Sequence, residues 1–175
     1  MRRLILLRHS TAARAEPGES DQDRKLTAEG LADAALVGTY LANHSFRPDR
    51  VIVSTAARTR DTWQQVVAAL RHAFDAVFDR RIYNASSEVL FNVIAETPDD
   101  ARSILMLGHN PGLHELAVLL VANGDIDIRE RLRENFPTSG VAIIDFALDS
   151  WSKLHPRSGR LERFVSPKLI TGATN

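Results

Sequence analysis

Apolar residues along the chain gather into short continuous runs separated by amphipathic stretches. Leu4–Leu7 is one such run, and Val51–Val53 and Ile104–Leu107 repeat it. Runs of this length without polar alternation fit strands buried on both faces. Leu26-Thr27 opens a stretch of helical spacing in which Thr27 is a candidate N-cap. Leu31, Ala34, Ala35, Gly38 and Leu41 then share one face. Ser54-Thr55 can cap a second helix over about 57–74, and a third strand is expected within Val77–Tyr83. Ser86-Ser87-Glu88 starts a helix that runs to about Glu96, before Pro98. Pro111 suits a first helical turn, so Leu113–Ala122 reads as an apolar helix. A short helix over Arg129–Glu134, a turn at Pro137–Gly140, a strand at Val141–Leu148 and a last edge strand at Leu161–Val165 complete the pattern. Thr11–Lys25, polar, acidic and broken by Pro17-Gly18, reads as a mobile loop.

Strand and helix alternate at least four times without repeats or linkers. The pattern predicts a three-layer α/β/α sandwich with a mostly parallel sheet. The last two strands arrive with no helix between them, so one strand is expected to run antiparallel. One domain over residues 1–170 is expected, with 171–175 as a frayed tail.

Composition narrows the function. The formal net charge is zero, so no global field argues for nucleic acid or an anionic membrane. Arg129, Arg131 and Arg133 alternate with acids and read as a solvated helix face rather than a nucleic-acid patch. The absence of cysteine removes disulfides, thiolate catalysis and cysteine zinc sites. The longest apolar run, Leu116–Ala122, is far short of the roughly 20 residues that span a bilayer. A soluble, cytoplasmic protein is the expectation. Only Lys25, Lys153 and Lys168 among the 22 basic residues are lysine. An arginine therefore gains meaning here only from its place in the fold.

The places that matter are strand ends. In a doubly wound sheet, sites form outside the carboxyl ends of the strands. The first apolar run stops at Arg8-His9, the second is followed by Ser54 through Arg58, and the fourth stops at Gly108-His109-Asn110-Pro111. Two histidines and two arginines delivered to one edge suit phosphoryl transfer, which depends on positioning and on neutralising phosphoryl oxygens. Arginine donates in a planar fork and stays charged. Neutral imidazole is a competent nucleophile near pH 7, a role that fits His9, and His109 fits that of a donor to a phosphoryl oxygen. A lone histidine at a strand end is more often structural; Arg8 beside His9, and the matching His109, shift the balance. His109 and His114 are five apart, not the four that place two ligands on one helix face, so zinc is disfavoured. No Gly-x-x-x-x-Gly-Lys-Ser/Thr loop is present.

These residues resemble the histidine phosphatase superfamily, and within it the small phosphohistidine phosphatase branch of SixA type. Arg8-His9-Ser10 is similar to that family's Arg-His-Gly signature, and Leu26-Thr27-Ala28-Glu29-Gly30 to its Leu-Thr-x-x-Gly helix opening. Ser54 through Thr62 resembles its Ser-Pro-x-x-Arg-Ala-x-x-Thr segment. Gly108-His109-Asn110-Pro111 and Pro137-Thr138-Ser139-Gly140 resemble two later elements. The resemblance covers nearly the whole chain. It implies a phosphoglycerate mutase-like fold, His9 as phosphate acceptor, and Arg8, Arg58 and His109 completing the pocket. It also implies no metal and no organic cofactor.

Ser10 stands where the family has glycine, which narrows backbone freedom beside the nucleophile and bears on substrate approach. Thr55 replaces a proline, and Thr59 and Asp61 alter the arginine helix. For an acid that protonates a leaving oxygen, Glu88 is a candidate, with Glu16, Glu19, Asp21 and Asp23 of the loop as further options. A pocket without such an acid favours phosphoramidates, because imidazole leaves more easily than alkoxide. The expected substrate is therefore phosphohistidine in a partner protein. A small phosphate monoester, or phosphate binding without turnover, is the alternative.

Overall fold

The computed structural model describes residues 1–172. Seven strands form one sheet: β1 (Arg2–Arg8), β2 (Arg50–Val53), β3 (Ala76–Phe78), β4 (Ser103–Gly108), β5 (Val121–Gly124), β6 (Val141–Phe146) and β7 (Gly159–Val165). Their order is β3-β2-β4-β1-β6-β7-β5. β1 pairs parallel with β4, β4 with β2, and β2 with β3. β6 runs antiparallel to both neighbours, and β5 is parallel to β7. One strand is therefore reversed in an otherwise parallel sheet, as expected.

The two faces of the strands take different partners because successive side chains alternate. Leu4, Leu6, Ile104, Met106, Ala142 and Ile144 join one core. Ile5, Leu7, Leu105, Leu107, Val141 and Ile143 join the other. Helices α3 (Ser87–Ala95) and α4 (Gly112–Leu120) cover the first face, with α5 (Ile126–Glu134). Helices α1 (Ala28–Asn43) and α2 (Ala57–Leu70) cover the second, and α6 (Pro167–Thr171) packs beside α1. Strands covered on both sides need continuous apolar runs, which is why β1 and β4 were legible.

Thr27 caps α1 as expected, accepting from Gly30 N at 3.0 Å. The same opening holds the Thr11 carbonyl, which accepts from Thr27 N. A Cβ on Gly30 would lie 2.2 Å from that carbonyl oxygen, so the position admits no side chain. This gives the Leu-Thr-x-x-Gly pattern a mechanical reason: it docks the helix on the segment just after His9.

Several expectations need correction. Ser54-Thr55 do not cap α2: Ala56 is its N-cap residue, and Ser54 serves the site instead. That helix ends at Leu70, where Arg71 turns left-handed at φ 51°, well before Phe74. The strand expected over Val77–Tyr83 ends at Phe78 and gives way to a 3₁₀ turn at Arg80–Ile82. The apolar helix stops at Leu120, and Val121–Gly124 becomes β5 on the outside of β7. Val141–Leu148 stops at Phe146, and Leu161–Val165 is not an edge strand, because β5 covers it. On α1, Val37 is buried whereas Leu31 is exposed. Of the expected frayed tail, Thr171 closes α6 and Gly172 follows it left-handed, while residues 173–175 lie outside the described residues. Among the described residues no helix is long and apolar enough to cross a membrane.

Candidate active site

The strand order brings three loops to one edge. β4 lies between β2 and β1, and the register pairs Arg8 with Gly108 and Val53 with Leu107. His9, His109 and Ser54 therefore emerge side by side. The reversed β6 adds a fourth segment: Leu7 pairs with Val141, so the preceding turn Pro137–Gly140 reaches the same edge. Ser139 N donates to the His9 carbonyl, and Arg8 N donates to the Gly140 carbonyl.

The two imidazoles meet with ring centroids 5.3 Å apart. His9 is only 9% exposed and His109 3%. His9 Nδ1 lies 2.7 Å from the Ser10 carbonyl oxygen. A carbonyl only accepts, so the ring proton sits on Nδ1 and the Nε2 lone pair is free. His109 Nε2 shares a hydrogen bond of 2.7 Å with the Ser54 hydroxyl, and its buried Nδ1 has no partner among the described residues. Burial, aided by Arg58 and Arg8, pushes the His9 pKa down to about 4, against the Ser10 hydrogen bond that favours the charged ring. Burial and the neighbouring His9 push His109 down to about 3. Both rings are neutral at pH 7, as a nucleophile requires.

Arg58 sits in the first turn of α2, 4% exposed. Its guanidinium lies 5.8 Å from the Tyr83 ring centre, and Tyr83 packs edge-on to His109 with centroids 5.6 Å apart. Arg8 donates to the Phe136 carbonyl at 3.0 Å, and Asn110 Nδ2 donates to the same oxygen at 2.8 Å. Arg8 Nε is buried without a partner among the described residues, and burial lowers the Arg8 pKa. The four predicted residues thus lie at one edge of the sheet: Arg8 adjoins His9 in the chain, His9 pairs with His109, and Tyr83 lies between His109 and Arg58.

Glu88 does not join them. It is exposed in the first turn of α3, and among the described residues no hydrogen bond or ion pair links it to these four. Asp21 does. Its main-chain carbonyl accepts from Arg58 at 2.8 Å and its Oδ2 at 3.2 Å. Tyr83 donates to the same Oδ2 at 2.5 Å, and Arg24 donates to Oδ1 at 3.0 Å. Gln22 Nε2 also reaches Thr55 Oγ1 at 2.9 Å, so the loop expected to be mobile is strapped to the segment that opens α2. Ser10 does not border the approach: it is fully buried, its hydroxyl 2.5 Å from that of Ser139. His114 donates to the Leu132 carbonyl and packs on Phe136. Among the described residues no group of three or more His, Asp or Glu side chains is placed to hold a metal ion.

Sequence reasoning missed Tyr83 and the role of Ser54. No spacing signal marks Tyr83, which reaches His109 only through the short turn after β3. Ser54 was visible, at the end of β2, but its hydroxyl turns to His109 rather than to a helix.

The buried imidazoles make stability depend on pH. Their pKa values are depressed on folding, so between about 4 and the ordinary value of 6.5 the unfolded chain binds protons that the folded chain refuses. Stability rises with pH across that window and is lost as pH falls through it. Thermal melts from neutral pH down to about 4.5 should show Tm falling, with a shallower fall in His109→Gln. Equal slopes in both proteins would contradict this.

The fold that carries this site, with Arg58 buried, Arg8 half-buried and two imidazoles paired at the carboxyl edge of the sheet, is similar to that of known proteins. Residues 4–85 match the histidine phosphatase superfamily (branch 1). SixA from Agrobacterium tumefaciens is 35% identical, with a TM-score of 0.79 over 95% of this chain and 98% of that one. SixA from Nakamurella multipartitia is 28% identical, with a TM-score of 0.81 over 95% and 96%. Rv1276c of Mycobacterium tuberculosis is 31% identical over 166 residues, covering 93% of this chain and 100% of the relative. The chain belongs to the histidine phosphatase superfamily, whose members share the phosphoglycerate mutase-like fold. Within that phosphatase superfamily it is of SixA type.

Proposed function

We propose that this protein is a metal-independent phosphatase that removes phosphate from phosphohistidine in a partner protein, with His9 as the phosphate acceptor. The observation that carries the substrate class is the state of Asp21. Among the described residues it is the one carboxylate that reaches the arginine grip, and it accepts from Tyr83, Arg24 and Arg58. Those donors hold its pKa well below the ordinary carboxylate range. Such a group has no proton to give at neutral pH. An alkoxide leaves badly without a proton, whereas imidazole leaves as a neutral ring.

His9 Nε2 attacks phosphorus in line, and the bond to the partner's ring nitrogen breaks with its electron pair going to that nitrogen. The partner ring departs neutral, carrying the proton already on its other nitrogen. Arg8 and Arg58 neutralise the phosphoryl oxygens, and His109, oriented by Ser54, donates to them. Water then attacks the phosphorylated His9, the P–N bond breaks, the pair returns to Nε2, and dihydrogen phosphate leaves. Guanidinium charge does what a metal ion does elsewhere.

A substrate panel with and without chelator tests the reading. A histidine-phosphorylated protein is expected to be turned over with kcat/KM at least about a hundredfold above sugar phosphates and nucleotides, unaffected by chelation. Preference for small monoesters, or phosphate binding with no hydrolysis of any substrate, would overturn it.

A further inference from the structure

Asp21 has a place in the site that its failure as an acid does not explain. His9 is almost wholly buried, so a leaving group must depart toward the solvent side of the site. Asp21 links the buried Arg58 to that solvent side, its own side chain 47% exposed. Oδ2 already accepts from Tyr83 and Arg58, while among the described residues Oδ1 accepts only from Arg24. A carboxylate oxygen has about two acceptor positions, so Oδ1 keeps one toward solvent. The strap through Gln22 and Thr55, and the pairing of Ala13 N with the Lys25 carbonyl at the base of the loop, hold it there.

We infer that Asp21 is a specificity-determining residue that accepts the remaining N–H of the departing imidazole and so selects phosphorus–nitrogen over phosphorus–oxygen bonds. This rests on the phosphohistidine reading above. A phosphorylated imidazole breaks its P–N bond readily only when the other ring nitrogen carries a proton. An ionised carboxylate facing that N–H favours the protonated ring, in the way an opposite charge favours any cation. The proton stays on the leaving ring throughout, the electron pair of the broken bond goes to the nitrogen that held phosphorus, and no proton is drawn from Asp21. A phosphate monoester offers no such N–H. To it, Asp21 offers only repulsion between a carboxylate and the phosphate dianion.

The test compares wild type with Asp21→Asn on phosphohistidine and on 4-nitrophenyl phosphate, whose phenolate leaves without a proton. The variant is expected to lose about tenfold or more in kcat/KM on phosphohistidine, the worth of one charge-assisted hydrogen bond. Its kcat/KM on 4-nitrophenyl phosphate should change by much less, so that the ratio between the two substrates shifts about tenfold. A parallel fall on both substrates would make Asp21 a structural prop for Arg58, and a parallel rise would make it a lid; either overturns the inference. Wild type that leaves phosphohistidine untouched would overturn the functional reading itself. Wild type active on it, with an unchanged substrate ratio in the variant, would overturn the assignment of Asp21 alone.

Discussion

His9→Ala is expected to lower turnover by at least about a thousandfold and to abolish covalent phosphate on the protein together with it. The reason lies in the tautomer. Ser10 fixes the ring proton on Nδ1, so Nε2 is the one nucleophilic lone pair that His9 presents, and burial keeps it unprotonated. With its Nδ1 carrying the proton that phosphoryl oxygens accept and its Nε2 engaged by Ser54, His109 presents no free lone pair to substitute. The grip itself survives the substitution: Arg58 stays tied to Asp21, and Arg8 to the Phe136 carbonyl. Vanadate or phosphate should therefore still raise Tm in the variant. Loss of chemistry with retained anion binding separates a nucleophile from a structural histidine. Retained turnover would remove His9 from the role.

Arg58→Ala carries the second largest expected effect. Hydrogen bonds to charged groups contribute about 1.5–3 kcal/mol each. Two of them to a phosphoryl group amount to about 3–6 kcal/mol, or roughly a hundredfold to ten-thousandfold in kcat/KM. Arg58→Lys should recover only part, since an ammonium cannot reproduce a planar fork. Because the guanidinium also engages Asp21 and lies against Tyr83, the alanine variant should loosen the strap as well. Hydrogen exchange in the 21–24 segment, faster in Arg58→Ala than in His9→Ala, checks that link. Equal activity in wild type and Arg58→Ala would contradict the proposed grip.

Much of this was legible in the sequence because the responsible forces are local. β1 and β4 are covered on both faces and must be apolar throughout, and each ends at the residue that the fold delivers to the site. Thr27 caps its helix by an interaction spanning three residues. Where the reading failed, distant parts of the chain decided. Val121-Ala122 fit the end of an apolar helix, yet with Asn123-Gly124 they form a strand because β7 offers an edge. Ser54 has the side chain of a cap and serves His109, 55 positions away, instead. Asp21 was one loop acid among four until Arg58, Arg24 and Tyr83 gathered on it. Tyr83 and the Phe136 carbonyl carry no local signal at all. Strand-end chemistry can be read from a chain; the partners that orient it come only with the fold.

The central claim is that His9 receives phosphate while Arg8, Arg58 and His109 hold it. The most direct measurement is mass spectrometry of the protein quenched seconds after mixing with a histidine-phosphorylated partner. The account predicts a single added phosphate, labile in acid and stable in alkali, on the peptide carrying His9. Turnover of the same partner with phosphate on a different residue, or with none trapped under any quench, would contradict it.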